Sequence, residues 1–126
     1  MLSNATAICL VATIDGSKAR PFYEETLGLK CLTEDEFAIV FELKDTVLRV
    51  QKVPEFTPHE FTSHGWRVED IESEINELNS RGVEFVRFRC FEQDGLGIWD
   101  TPGARIAWFR DPDGNLLSLS EVKWGN

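Results

Sequence analysis

The sequence predicts an α+β protein built from two tandem βαβββ modules whose sheets curl around a shared cleft, and three observations carry that expectation. Short apolar and β-branched runs, too short for globular helices, recur along the chain between turn-forming residues. Two amphipathic segments each open on an aspartate, Asp15 and Asp70, and each close on a glycine, Gly28 and Gly82. The element order that follows the first of these segments returns after the second, about 55 residues on, which marks an internal duplication. A single strand-helix-strand-strand-strand unit is too small to bury both faces of its sheet, so two copies are expected to pair. The 126 residues are expected to form one domain, 1–126, with module one at about 4–53 and module two at about 60–124.

In the first module, Thr6 to Thr13 (T-A-I-C-L-V-A-T) is a buried-strand run broken by Asp15-Gly16-Ser17. Ala19, Phe22, Tyr23 and Leu27 follow at helical spacing, with Pro21 expected in the first turn and Gly28 as the stop. Strands are expected at about 29–33, 37–43 and 46–53. The Pro54 to Pro58 segment cannot continue a strand and serves as a linker. In the second module the expected order is a strand at 61–68, a helix carrying Ile71, Ile75 and Leu78, a strand at 83–91, and a hairpin. An extra loop, about 92–102, precedes that hairpin. The hairpin turns at Asp111-Pro112-Asp113-Gly114-Asn115, where Pro112 presets φ, Asp111 can accept turn N–H groups and Gly114 supplies the left-handed residue.

A net charge of −9 argues against nucleic acid or an anionic membrane surface as a partner. Cys9, Cys31 and Cys90 lack C-x-x-C spacing, lie on apolar runs and read as reduced packing residues. With no apolar run approaching the ~20 residues of a membrane helix and no basic leader, the expected location is the cytoplasm.

F-Y-x-x-x-L-G-L at Phe22 to Leu29, V-x-D at Val68 to Asp70, R-G-V at Arg81 to Val83 and W-F-R-D-P-D-G-N-L-L at Trp108 to Leu117 resemble the vicinal oxygen chelate superfamily. That group includes glyoxalase I, extradiol dioxygenases, fosfomycin-resistance enzymes and bleomycin-binding proteins. The resemblance covers nearly the whole chain and implies the paired βαβββ fold. It also implies where a metal would be held: at a His seven residues before each helix-opening Asp, and at a Glu or other ligand on the last strand of each module. Those positions are Ile8, Ser63, Arg49 and Ser118 here, a poor donor set for zinc or iron. His64 lies one residue from the expected place, which on a strand turns it to the opposite face. His59 and Glu60 have no recognisable ligand spacing. No metal and no cofactor are expected.

Taking the ligand positions as cleft-facing, strand parity puts Ile8, Leu10, Arg49, Gln51, Ser63, Gly65, Arg67, Ser118 and Ser120 on the open face. Cys9, Val11, Leu48, Val50, Trp66, Val68, Leu117 and Leu119 go under the helices. Trp108 and Phe109 must face opposite sides, so one of them lines the cleft. The loop at 92–102 carries Trp99, either as a lid over the cleft or as a packing or dimer-interface residue. An arginine in a closed cleft requires a carboxylate, from the protein or from a ligand.

The candidate ligand-binding set is therefore Arg49, Gln51, Ser63, Arg67, Trp99, Trp108 and Ser118. No nucleophile–base or acid–base carboxylate pair is readable, and whether a reaction is catalysed stays open. The reading preferred is a small-molecule-binding homodimer that takes a small organic anion. The alternatives are a metal-dependent lyase, isomerase or dioxygenase, and a drug-sequestering protein of the bleomycin-binding kind, whose ligand is cationic.

Overall fold

A computed structural model of the chain describes residues Met1–Gly125, which fall into two compact units. The first comprises Met1–His59 together with Asp111–Asn115, and the second Glu60–Arg110 with Leu116–Asn126. Each contains one four-stranded mixed sheet and a crossover helical segment among the described residues, the first also a short 3-10 turn at Leu2–Asn4, so the chain is an α+β protein of two βαβββ modules.

The first module runs β1 (Cys9–Thr13), α1 (Gly16–Pro21), β2 (Cys31–Glu34), β3 (Ala38–Leu43) and β4 (Thr46–Lys52). Its sheet order is β1-β4-β3-β2, with β1 parallel to β4 and the other pairs antiparallel. The order follows from connection length, because β3 and β4 are joined tightly whereas β1 reaches β4 only through the helix crossover. Asp15 caps α1 by accepting from the Ser17 N–H at 3.0 Å. The helix differs from the expected continuous one. Pro21 ends α1 instead of sitting in its first turn, and the chain passes into a wider π-helical turn at Phe22–Thr26. A proline has no N–H to give and crowds the carbonyl four residues back, so the ladder relaxes, and Leu27 N–H donates five residues back to the Phe22 carbonyl at 2.9 Å. Gly28 then takes φ of +75°, the left-handed stop read from the sequence. Tyr23, Ile39, Phe41, Leu48 and Val50 are fully buried between this helical segment and the sheet.

The second module repeats the plan with β5 (His64–Arg67), α2 (Ile71–Ser80), β6 (Trp99–Asp100), β7 (Ala104–Arg110) and β8 (Leu116–Val122), in the order β5-β8-β7-β6. Asp70 caps α2 through the Ser73 N–H at 3.1 Å. Ile71, Ile75 and Leu78 are buried, and they share the core with Ala107, Phe109, Leu117 and Leu119.

The expected strand at 83–91 does not form. Phe85 makes an isolated bridge to Phe109 and the Val86 N–H donates to the Trp108 carbonyl at 2.7 Å, after which the backbone leaves β7. The reason is a side chain. Gln93 accepts from the Phe88 N–H at 2.8 Å and donates to the carbonyls of Val86 at 3.0 Å and Gly97 at 2.8 Å. An amide thus satisfies the backbone groups that a neighbouring strand would otherwise pair. Arg87 closes the same loop from outside, donating to the carbonyls of Asp94 and Gly95 at 2.7 and 3.0 Å. The sheet edge next to β7 is filled by Trp99–Asp100, from the segment expected to be a loop.

Candidate functional site

Residues that pair across a sheet share a face, so the registers define what each sheet presents away from its helix. In the first module, Leu10, Arg49, Val40 and Thr33 form one row, with Ala12, Gln51 and Ala38 in the next. Arg49 and Gln51 are exposed on that face, whereas their neighbours Leu48 and Val50 are buried on the other. Leu10 and Ile8 stay about half exposed, at 52% and 49%. The expected carboxylate partner of Arg49 is not found. Among the described residues no acidic side chain makes an ion pair with it, and its field reaches Asp35 only at longer range. An exposed guanidinium keeps its hydration and needs no such partner.

In the second module the corresponding rows are Gly65, Ser118 and Trp108, and Arg67, Ser120, Ile106 and Trp99. A Cβ at Gly65 would collide with the Ser118 hydroxyl oxygen and press on its carbonyl, so a larger residue there would force Ser118 to shift. Ser118 is buried, while Ser63 lies just before β5, its N–H donating to the Leu116 carbonyl at 2.8 Å. Arg67 turns toward the C-terminal segment, with its guanidinium 5.5 Å from the Trp124 ring centroid and donating to the Trp124 carbonyl at 3.4 Å.

Of the pair expected to face opposite ways, Phe109 packs on the core face and Trp108 on the opposite face, where it too is buried, at 7% exposure. Trp108 donates its indole N–H to the Thr62 hydroxyl at 3.0 Å, which fixes the ring. Trp99 lies beside it, with ring centroids 6.1 Å apart. Paired to Ile106 in β6, Trp99 is therefore a strand residue of a built aromatic face and not the tip of a free loop. Phe91 stacks on both indoles, at 4.1 Å from Trp99 and 5.3 Å from Trp108, its plane within 15° and 16° of theirs. Phe88 meets Trp108 edge-on at 5.2 Å. Neither phenylalanine was among the expected site residues. The aromatic and β-branched run V-E-F-V-R-F-R-C-F reads as strand, and nothing local marks Phe88 or Phe91 as lying over an indole pair.

Beside Trp99, the residues Glu92, Asp94, Ile98 and Asp100 line an open depression of about 440 Å³. Asp100 is neutralised by Lys123 at 2.6 Å, and Asp94 accepts the Leu96 and Ile98 N–H groups with one oxygen.

The residues at the four positions where the resemblance places a metal do not fit one. Ile8 has no donor atom, Arg49 is a permanent cation, and Ser63 and Ser118 offer neutral hydroxyls. Among the described residues no group of three or more His, Cys, Asp or Glu side chains is arranged to hold an ion. His64 shares the core face with Trp66, 4.4 Å away ring to ring, and Trp66 in turn stacks on buried Phe109. Its Nε2 is buried with no hydrogen-bond partner among the described residues, and burial holds the imidazole below its ordinary pKa. The cysteines are all free. Cys9 and Cys31 are half-buried, whereas Cys90 is exposed in a turn, not packed in a strand as expected.

The D-P-D-G-N turn belongs to the first unit and acts as a staple. Asp111, 6% exposed, receives the Tyr23 hydroxyl at 2.6 Å, the Asn115 amide at 2.8 Å and the N–H groups of Asp113 and Asn115 at 2.9 Å each. Asp113 accepts from the Ile14 N–H at 2.9 Å, and Asn115 donates to the Ala12 carbonyl at 2.8 Å. The motif's role is structural.

Two modules of strand, helix and three strands with this sheet order make the paired βαβββ architecture that the sequence motifs imply. The chain belongs to the Glyoxalase/Bleomycin resistance protein/Dioxygenase superfamily, whose family model matches residues 6–119. No functionally curated protein matches it. Among solved structures it is similar to TnmS3, an antibiotic binding protein from Streptomyces sp. CB03234, at 25% identity over 95% of this chain and 98% of that one, with a TM-score of 0.71. It is likewise similar to a glyoxalase/bleomycin resistance protein from the same Streptomyces strain, at 27% identity over 93% and 100% of the two chains and a TM-score of 0.69. A glyoxalase family protein from Bacillus anthracis shares the fold at 22% identity, covering 95% of this chain and 96% of that one, with a TM-score of 0.75.

Proposed function

We propose that the protein binds a planar, partly apolar organic anion without a metal, as a homodimer in the cytoplasm. The observation that carries this reading is the aromatic face of the second module, where two indoles stand side by side on the sheet with hydroxyls from Ser118 and Ser120 in neighbouring positions. Indole faces attract planar rings, and hydroxyls can donate to an oxyanion. The negative end of the ligand requires a cation. Arg67 already serves Trp124, whereas Arg49 on the first module's open face has its guanidinium uncommitted to any acidic group, with Gln51 next to it. In this reading Arg49, with Gln51 beside it, is the group that takes a carboxylate on the first module's own open face. The similarity to TnmS3, an antibiotic binding protein, supports small-molecule binding.

A thermal-shift screen of aromatic and aliphatic carboxylic acids, followed by titration of the hits, tests the reading. Aromatic acids should stabilise the protein. Each charge-assisted hydrogen bond contributes about 1.5–3 kcal/mol, so Arg49→Met should weaken binding at least about tenfold with the fold intact. Arg110→Met, beside the hairpin turn, should leave binding unchanged.

The second reading, sequestration of a cationic drug, is favoured by one feature: the depression beside Trp99 is lined by three acidic residues, Glu92, Asp94 and Asp100, against one arginine, Arg105. Hits confined to amines and guanidines, or an Arg49→Met variant that binds acids like the parent, would move that reading ahead.

A further inference from the structure

We infer that Phe91 is an internal occupant of the indole face, and that the turn from Phe88 to Phe91 is a gate which a planar aromatic ligand must displace. This rests on the binding reading above and adds to it the residue that competes with the ligand.

Three observations carry the inference. Phe91 lies nearly parallel to both indoles, 4.1 Å from Trp99 and 5.3 Å from Trp108, so it covers ring surface on which a planar ligand would stack. The base of the loop is firmly held, with the Gln93 amide tied to residues 86, 88 and 97 and Arg87 to the carbonyls of Asp94 and Gly95. The backbone of the tip is held by less: Arg89 and Cys90 are exposed, and among the described residues its turn is closed by one long backbone hydrogen bond, from the Phe91 N–H to the Phe88 carbonyl at 3.4 Å, so the packing of the two phenylalanine rings is what holds it down. A rigid base and a weakly bonded tip let the phenylalanines swing away without unpairing β7 or β8. Apparent affinity is then the intrinsic affinity reduced by the fraction of molecules with the tip open.

The full-length protein, with 2-naphthoate as the probe, provides the test by tryptophan-fluorescence titration and stopped flow. In the parent, the observed association rate should level off at high 2-naphthoate, at the rate of tip opening. Phe91→Ala should bind about tenfold tighter, with a rate that rises linearly over the same range. Phe91→Leu, which keeps apolar volume while removing the ring, should fall between them and serves if the alanine variant is unstable. Weaker or unchanged binding in the folded variants, beside a parent that binds, would show that Phe91 is a wall of the site, refuting the gate and leaving the binding reading intact. If parent and variants all fold and none takes up 2-naphthoate, aromatic acids are not ligands of this face, and the gate falls with that reading.

Discussion

Replacing Tyr23 by phenylalanine removes one oxygen atom from the core of the first module, and the structure states what that atom does. Tyr23 is fully buried and its hydroxyl donates to Asp111 at 2.6 Å. Burial pushes the Asp111 carboxyl up, while the hydroxyl, the Asn115 amide and two backbone N–H groups pull it back down. The same desolvation, next to the carboxylate, pushes the phenol of Tyr23 far up, so it remains a donor at every pH the fold survives. Tyr23→Phe leaves a buried carboxylate one donor short, at a cost of about 1.5–3 kcal/mol. For a chain of this length that corresponds to a fall in Tm of roughly 5–10 °C. The pH dependence has a definite sign. A carboxyl with a raised folded pKa is ionised at a cost, so stability attributable to Asp111 declines as pH rises from 3.8 through the folded value. The hydroxyl bonds the ionised form, so its loss enlarges that decline. Urea denaturation of parent and variant should show a deficit that is full at pH 7 and shrinks toward pH 4. A neutral substitution, or a deficit independent of pH, would refute the staple.

Three further outcomes are expected. His64 is held neutral by burial, so its folded pKa lies below the ordinary 6.5, the unfolded chain binds more protons, and stability is lost as pH falls below about 6.5; His64→Phe should flatten the denaturation midpoint between pH 7 and 5. Elemental analysis of untagged protein should find no stoichiometric zinc, iron, nickel or manganese, and one equivalent abolished by His64→Ala would overturn the assignment of that histidine to the core. Light scattering at micromolar concentration should give twice the 14.4 kDa chain mass, and a monomer mass would remove the dimer from the reading.

What was legible in the chain were the features dictated by local backbone chemistry. Asp15 and Asp70 cap helices because a carboxylate satisfies first-turn N–H groups wherever it stands. Gly28, Gly82 and Gly114 take positive φ, which disfavours most other residues at those positions. Strand parity was legible too, since Arg49 and Gln51 alternate with buried Leu48 and Val50 on β4. The failure at residues 83–91 has a different origin. Alternation reports which side chains share a face, but it does not report what the backbone pairs with. There the partner of Phe88 is the Gln93 side chain, five residues on, and no periodic pattern encodes a single amide.

That substitution of an amide for a strand bears on function. Had residues 83–91 paired with β7 throughout, Phe88 and Phe91 would be fixed at the sheet's edge, and no ring would be free to lie over Trp108. By closing the loop at its base, Gln93 releases the chain beyond Phe88 from the sheet, and the turn at Arg89–Cys90 brings Phe91 back across the indoles. Gln93→Leu should therefore act on two properties at once. Phe88 N–H and two carbonyls lose their partner, which costs about 1–3 kcal/mol for each group that water cannot reach. The tip also loses its hinge, so the edge-on contact between Phe88 and Trp108 should loosen. Near-ultraviolet circular dichroism, sensitive to tryptophan packing, should lose intensity in Gln93→Leu while the far-ultraviolet spectrum is retained. Retention of both, with unchanged stability, would mean that the loop is held by Arg87 alone.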